Sequence, residues 1–320
     1  MKKLWTGLAF WVMAALASLF LGAAALSPME LLTGADSAAG RIFLYVRLPR
    51  TAACLLAGGA LSVAGCVIQN VLANPLASPN IIGVNAGAGL AVTVCCALGC
   101  LSGWAMAGAA FGGAFLAVLA VSLAAKWAGG SRTAVILSGV SMNAFLGAMS
   151  DAVTDLVPEA AAMSVDFRVG GFGAVVPARL IPAGILILLA LGAVLLLHRE
   201  LEVLSLGEDL ARSLGVNARR MRTVFLALAA LLCGAAVSFA GLLGFVGLIV
   251  PHALRRFAGT ECRVLLPLAA IWGGAFVTVC DLLARLAFRP QELNVGILLS
   301  ALGGPFFLYL LSKRGGGPDA

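Results

Sequence analysis

The sequence predicts an all-α integral membrane protein with about ten transmembrane helices. Of its 320 residues, 62% are hydrophobic and 11% are charged, and its mean hydropathy is +1.06. Soluble globular domains, in contrast, carry about 25% charged residues. A helix needs about 20 apolar residues to cross roughly 30 Å of hydrocarbon. Such runs lie at 4–26, 50–73, 81–101, 103–127, 134–156, 180–197, 222–243, 245–258, 264–286 and 295–312.

The first apolar run follows Lys2 and Lys3 and has two interpretations. Small residues at 23–25 resemble the cleavage site of a secretory signal peptide. However, the run at 4–26 is longer than the 7–15 apolar residues of a signal-peptide core. The length therefore favours a first transmembrane helix that is retained.

Two connections around the second span are informative. Residues 27–45 are long enough to form a short outer helix. Pro49 then suits the start of span two, because proline at a helix start loses no hydrogen bond. After span two, residues 74–80 form a turn-rich loop with no charged residue. Such a loop is either a tight turn or a re-entrant, pore-lining segment, since irregular backbone at membrane depth must be buried or line a cavity.

The distribution of basic residues predicts the orientation. With ten spans and both termini inside, 14 of the 21 Lys and Arg residues fall on the cytoplasmic side, as the positive-inside rule requires. The net charge of +7 therefore reflects membrane topology, and a nucleic-acid partner has no support. We treat residues 1–320 as a single transmembrane domain.

Residues 198–222, which we call the connecting segment, are the largest predicted soluble part of the chain. They hold five Arg and four carboxylates, nine of the 35 charged residues, between spans six and seven. Glu208 and Asp209 suit a helix start and Gly215 suits a helix end. A membrane bundle with one such segment is expected to bind a partner there.

Catalytic motifs are missing from the sequence. No phosphate-binding loop precedes any of the four lysines, so any ATP hydrolysis belongs to another polypeptide. An intramembrane enzyme is disfavoured because the spans hold no Ser/His pair or His/Glu zinc motif. The eight cysteines are predicted to pack as small apolar residues, and the two histidines are too far apart in sequence to suggest a metal site.

Few ionisable residues lie in the predicted spans. Asp151 and Asp155 share one face of span five, where they are either solvated carboxylates at the outer interface or a proton or cation site. Asp281 and Arg285 stand four residues apart, a spacing that permits an ion pair. An ion-coupled secondary transporter needs such groups at mid-bilayer. The predicted spans are nearly free of them, and this transporter is kept as the alternative function.

Several blocks of residues, in a fixed order, resemble a known family. They are Arg47-Leu48-Pro49-Arg50, Gln69, 74–79, Gly83, 87–89, 206–207, Ala211, 214–216, 244–252, Arg255, Arg256, Asp281, Arg285, Glu292, Gly296 and 304–306. With these blocks the chain resembles, over nearly its full length, FecCD-type permeases, the membrane subunits of ABC importers for iron-siderophores, haem and cobalamin. It departs from the family at Asn294, where a Pro is usual.

The resemblance implies an assembly in the bacterial cytoplasmic (inner) membrane. Two permease subunits, most simply a homodimer, form one pore with two cytoplasmic ATPase subunits and an outer substrate-binding protein. ATP and Mg²⁺ are expected on the ATPase, with no cofactor and no catalytic or metal site in this chain. The carried chelate, a ferric siderophore, haem or cobalamin, is left open.

The resemblance also implies roles for individual residues. Arg47, Arg50 and Arg285 are expected to face out and dock the binding protein. Two short helices at 206–217 are expected to seat on the ATPase. The ATPase-coupling residues are Glu208, Asp209, Ala211, Arg212, Leu214 and Gly215. The cytoplasmic gate is expected at Asn74, Leu76, Ser131, Arg132 and Thr133, and the pore lining at Ser138, Ser141 and Asn143.

Overall fold

The computed structural model describes residues 2–22, 37–287 and 291–314. Every regular element in these ranges is a helix. The α-helices are α1 (Lys2–Phe20), α2 (Ala38–Ile42), α3 (Leu48–Val71), α4 (Val84–Ala97), α5 (Gly103–Trp127), α6 (Arg132–Leu156), α7 (Pro158–Val169), α8 (Pro177–Leu196), α9 (His198–Ser205), α10 (Glu208–Ser213), α11 (Ala218–Ala240), α12 (Val246–Ala258), α13 (Cys262–Ala287) and α14 (Val295–Arg314).

Each predicted span corresponds to one of these helices, but the helices differ in length. Seven apolar helical stretches among the described residues are long enough to cross a membrane: Lys3–Phe20, Ala38–Val71, Gly103–Trp127, Arg132–Leu156, Pro177–Leu196, Ala218–Ala240 and Cys262–Ala287. The chain is therefore a multi-pass membrane protein. The total of ten spans and the location of the termini stay predictions.

Helix α4 is shorter than the predicted span at 81–101. A 3-10 turn at Pro79–Ile82 precedes it, and Gly99, with a φ of 70°, follows its end. Its 14 residues extend about 21 Å at 1.5 Å per residue, less than the hydrocarbon thickness. Cys100, predicted inside this span, instead lies in an exposed turn.

The short outer helix expected at 27–45 is present only in part. Helix α2 runs through a π-helical turn, Phe43–Arg47, directly into α3, so the two helices form one continuous apolar stretch. The remainder of the prediction, at 27–36, lies outside the described residues, as does the end of the first predicted span at 23–26.

Helix α3 lies at the centre of the bundle and packs against α11, α12 and α13. Glycines permit the closest approaches. Gly58 of α3 meets Gly273 of α13, and Gly65 meets Gly247 of α12, so closely that a Cβ at either α3 position would collide with the facing carbonyl group. Small residues at such crossings allow helix backbones to pack tightly in lipid.

Helix α6, in contrast, leaves one face uncovered. Leu137, Val140, Phe145 and Met149 are 43–63% exposed and recur at helical spacing. Asp151 and Asp155 are exposed near the end of the same helix. This face is available to lipid or to another protein chain.

The connecting segment forms α9, α10 and the start of α11. Only α10 falls within residues 206–217, so the expectation of two short helices there is wrong. The first of the pair, α9, ends before Leu206, where Gly207 adopts a φ of 121° and separates the two helices.

Candidate functional site

A network of ionic side chains, buried except for Glu292, lies where α1, α3 and α13 meet, and we call Arg50, Asp281, Arg285 and Glu292 the Asp281 network. The Arg50 guanidinium donates to both carboxylate oxygens of Asp281, with Nη2 to Oδ1 at 3.0 Å and Nε to Oδ2 at 3.1 Å. Its Nη1 lies 2.6 Å from Glu292 Oε2. Because charge-assisted bidentate pairs are strong and directional, Arg50 is held in place.

Arg285 contacts the same carboxylate from within α13. Its Nε lies 3.0 Å from Asp281 Oδ2, which confirms the ion pair predicted from the four-residue spacing. Its Nη2 donates to Ser18 Oγ at 2.8 Å, and that hydroxyl also hydrogen-bonds Thr51 Oγ1 at 2.9 Å. The two arginines and two carboxylates of the network balance in charge and connect α1, α3, α13 and the segment before α14.

The expectation that Arg47, Arg50 and Arg285 face out is wrong for this structure. They are 5%, 8% and 3% exposed, and Arg47 Nη1 donates to the Leu19 carbonyl at 2.9 Å. Buried guanidinium groups require partners, and the fold supplies carboxylates and carbonyls from distant parts of the chain. Their role in docking is a separate matter and stays a prediction. Glu292, whose side chain is 39% exposed, is where the network reaches the surface.

Asn294, the departure from the family pattern, lies in the turn that leads into α14. Its carbonyl accepts a hydrogen bond from the Ile297 amide at 3.1 Å, and its side chain packs close to Gly171. The Gly296 amide donates to the Gly170 carbonyl at 3.2 Å. These contacts attach the start of α14, and with it Glu292, to the turn between α7 and α8.

The predicted ATPase-coupling residues lie on and after α10. Ala211 is fully buried, whereas Arg212 is exposed and Leu214 is 58% exposed. Gly215 ends the helix with a φ of 79°, as predicted. The side chains of Glu208 and Asp209 lie outside the described part of the chain. A cavity of about 540 Å³ opens beside α10 and is lined by Arg212, Gly215, Val216, Asn217, Ala218 and Arg219.

Sequence reasoning singled out Leu214 in this charged segment but did not recognise that it is one of three exposed leucines. Leu206 and Leu210 are 59% and 49% exposed and, with Leu214, recur every four residues in the sequence. Leu210 lies on α10, Leu214 directly follows this helix, and Leu206 precedes Gly207, so the short segment groups them although they do not share one helix face. Exposed leucines grouped in a water-facing segment are typical of a protein-binding surface. We call Leu206, Leu210 and Leu214 the α10 leucines.

The two predicted gate loops have different neighbours among the described residues. Asn74 Oδ1 accepts a hydrogen bond from the Leu76 amide at 3.0 Å, which stabilises the turn. Leu76 lines a cavity of about 300 Å³ formed with α12 and α14. Its lining residues are Pro75, Leu76, His252, Arg255, Arg256, Tyr309 and Leu310.

The second gate loop is anchored to neighbouring helices instead. Ser131 Oγ accepts a hydrogen bond from the Ala134 amide at 3.0 Å and caps α6, and Thr133 is exposed. Arg132 Nη2 donates to the Leu204 carbonyl at 2.7 Å, near the end of α9. Arg222, a buried residue that the sequence did not single out, donates to the Gly130 carbonyl.

Among the predicted pore residues, Ser141 is exposed, and Ser138 and Asn143 are half-buried. Asn143 Nδ2 donates to the Asn80 carbonyl at 2.7 Å, so this side chain attaches α6 to the turn after the first gate loop. Contacts thus lead from that turn through α6 and Arg132 to α9, next to α10.

Comparisons with known proteins agree with this architecture. Residues 10–313 match the family model described as the FecCD transport family. The hemin transport system permease protein HmuU of Yersinia pestis is 36% identical over 310 residues, 95% of this chain and 93% of that protein. The cobalamin import system permease protein BtuC of Halobacterium salinarum is 38% identical over 273 residues, 84% of this chain and 73% of that protein.

A solved structure gives the same result in three dimensions. A metal-chelate type ABC transporter in an inward-facing conformation superposes with a TM-score of 0.88 at 28% identity, over 98% of this chain and 99% of that one. The sequence match and the full-length superposition agree, and the chain belongs to the FecCD transport family.

Proposed function

We propose that this chain is the membrane permease subunit of an ATP-driven importer whose cargo is a metal chelate: haem, a ferric siderophore or cobalamin. The observation that carries the proposal is the full-length superposition on a metal-chelate type ABC transporter. The relatives named above are a hemin and a cobalamin permease, and a third, CbrC of Dickeya dadantii, is an achromobactin permease 37% identical over 306 residues, 93% of this chain and 87% of that protein.

In this proposal the chain works in an assembly in the bacterial cytoplasmic membrane, with both termini inside. A second copy of the chain completes the pore, and the uncovered face of α6 is suited to border it because it combines apolar side chains with Ser141. A binding protein delivers the chelate from outside. ATP and Mg²⁺ bind to two ATPase subunits, and this chain needs no cofactor of its own.

The ATPase contact is assigned to α10. The α10 leucines offer apolar area, and fully burying one leucine contributes about 1.5–3 kcal/mol. Arg212 adds a charge that can select the partner. Ala211 and Gly215 fix the shape of the helix, and Glu208 and Asp209 favour its start.

The gate is assigned to the turns at 74–76 and 131–133. Movement of α10 would reach them through Arg132, which connects the start of α6 to the end of α9, and through Asn143, which connects α6 to the turn at Asn80. This is a shear or hinge change passed between packed helices.

Docking of the binding protein is assigned to the region of Arg47, Arg50 and Arg285. Because these side chains have partners inside the chain, a carboxylate of the binding protein would have to share or replace one of them. Glu292 is the most accessible of these partners, since its side chain is 39% exposed.

Transport by the purified chain in proteoliposomes tests the proposal. Uptake of a chelate should require ATP, the ATPase and the binding protein together, and an ATPase variant that cannot hydrolyse ATP should abolish it. The alternative, an ion-coupled secondary transporter, predicts uptake by this chain alone when a proton or sodium gradient is imposed. Uphill uptake without the ATPase would contradict the importer proposal.

A further inference from the structure

The turn that ends α4 brings two cysteines together. The amide of Cys100 donates to the Cys95 carbonyl at 2.9 Å, and the amide of Gly99 donates to the Cys96 carbonyl at 3.0 Å. With Gly99 at a φ of 70°, these are the two hydrogen bonds of a Schellman motif. Cys95 and Cys100, the residues joined by the first of these hydrogen bonds, occupy the two positions whose side chains commonly touch in this motif.

The Cys95 side chain reaches Cys100 here. Its Sγ lies 3.2 Å from the Cys100 carbonyl oxygen. The two thiols are unbonded in this structure. A disulfide requires Cα atoms about 4.4–6.8 Å apart, a separation that a closed helix-ending turn of six residues can provide.

Exposure separates this pair from the other cysteines. Cys100 is exposed and Cys95 is partly exposed, whereas Cys54, Cys66, Cys96, Cys233, Cys262 and Cys280 are all buried. The flanking Leu98 and Leu101 are 73% and 49% exposed, so the turn lies at the surface of the chain. No described part of this chain covers Cys100, so an oxidant can reach it without local unfolding where the turn lies in water.

We propose that Cys95 and Cys100 form a disulfide in the cell, made by a dithiol oxidase or a small-molecule disulfide outside the membrane. The proposal rests on the topology of the proposed function, which places the turn between α4 and α5 on the outer side. Extracellular and periplasmic compartments favour disulfides, whereas the cytosol keeps thiols reduced.

The chemistry is a thiol–disulfide exchange in two steps. The exposed Cys100, as its thiolate, attacks one sulfur of the oxidant disulfide and releases the other as a thiol. The Cys95 thiolate then attacks the mixed disulfide at the Cys100 sulfur and releases the second thiol. Two protons and two electrons leave the cysteine pair, and the oxidant disulfide is reduced to two thiols.

Counting free thiols in cells tests the bridge. Cells that express the full chain are quenched with acid, the protein is denatured and alkylated with a maleimide, and its intact mass is measured. We expect six of the eight cysteines to be alkylated, and eight after a reductant is added first. Cys100→Ser should take up seven maleimides, because Cys95 is then free.

Cys96→Ala is the matched control, since it removes the buried neighbour of Cys95 and should leave the bridge, with five maleimides bound. Eight alkylated cysteines in the unreduced wild-type chain would overturn the proposal. A second arm treats the reduced, purified chain with glutathione disulfide. Bridging there but not in cells would show that the turn faces a reducing compartment and would also overturn the proposal.

The bridge and the importer proposal can fail separately. ATP-dependent uptake by a chain with eight free thiols would exclude the bridge alone. A bridged chain that takes up chelate without an ATPase would exclude the importer alone.

Discussion

The Asp281 network and the connecting segment hold the same kinds of side chain in opposite surroundings. In the network, Arg50 and Arg285 share the fully buried Asp281 carboxylate and are 8% and 3% exposed. In the connecting segment, Arg212, Arg219 and Arg220 are exposed, and Arg222, at its end, is the buried exception. Leucines are usually buried, but the α10 leucines lie at the surface of the connecting segment.

This difference separates residues that maintain the fold from residues available to a partner. Removing one member of a buried ion pair leaves an uncompensated charge, which is costly. Exposed arginines and leucines contribute little to the stability of the isolated chain, and their energy is realised only in a complex. Substitutions in the two regions should therefore affect different measurements.

Asp281→Asn should have the largest effect. It leaves two buried guanidinium groups without their shared carboxylate, and we expect a loss of about 3–5 kcal/mol of unfolding free energy. Thermal or denaturant unfolding in detergent measures it. Asp155→Asn is the matched control because that carboxylate is exposed on α6, and its effect should stay within about 0.5 kcal/mol. Equal stabilities of the two variants would show that the network does not hold the helices together.

Local spacing explains why the sequence predicted only half of this network. Asp281 and Arg285 are one helical turn apart, so their pairing could be read directly. Arg50 lies 231 positions from Asp281 and 242 from Glu292. Only the packing of α3 against α13 brings them together, and a single sequence does not reveal that packing.

Helix positions were predictable from apolar runs, whereas helix ends depended on particular backbone conformations. Gly99 and Gly207, both with positive φ, end α4 and separate α9 from α10. Glycine is also common elsewhere in this chain, with 39 residues, so its presence alone does not mark a helix end. The anchoring of the second predicted gate loop by Arg132 and Arg222 could not be predicted either, because both side chains bind backbone carbonyls far away in the sequence.

Leu210→Ser combined with Leu214→Ser should have the second-largest effect, on partner binding rather than folding. If both leucines are buried against the ATPase, we expect its affinity to fall by about 10- to 100-fold, which corresponds to roughly 1.4–2.8 kcal/mol. Titration of the ATPase in nanodiscs measures it. The unfolding midpoint should not fall, since both side chains are about half exposed. An unchanged affinity would remove the α10 leucines from the interface.

Arg212→Glu should have a smaller effect on the affinity for the ATPase and a clear effect on the coupling of ATP hydrolysis to transport. Reversing this charge places a carboxylate where the proposed ATPase contact has a cation, so transport and stimulation of ATP hydrolysis should fall severalfold. Arg220→Glu is the charge-matched control, because it is also exposed in the connecting segment but lies beyond α10. If both variants lose activity equally, the contact depends on overall charge and not on α10.

Glu292→Gln should have the smallest effect on stability, and it tests whether Arg50 serves both the fold and a partner. Its side chain is 39% exposed, so losing the ion pair with Arg50 should cost no more than about 1 kcal/mol. The substitution leaves Arg50 Nη1 without a carboxylate near the surface. If a carboxylate of the binding protein docks there, its affinity should rise about two- to fivefold, and this gain should shrink at high salt because Coulombic attraction is screened. Gln291→Glu, the reverse change at the neighbouring exposed position, controls for net charge near the site. Affinity that falls in Glu292→Gln would place Glu292 itself in the docking surface and leave Arg50 with a purely structural role.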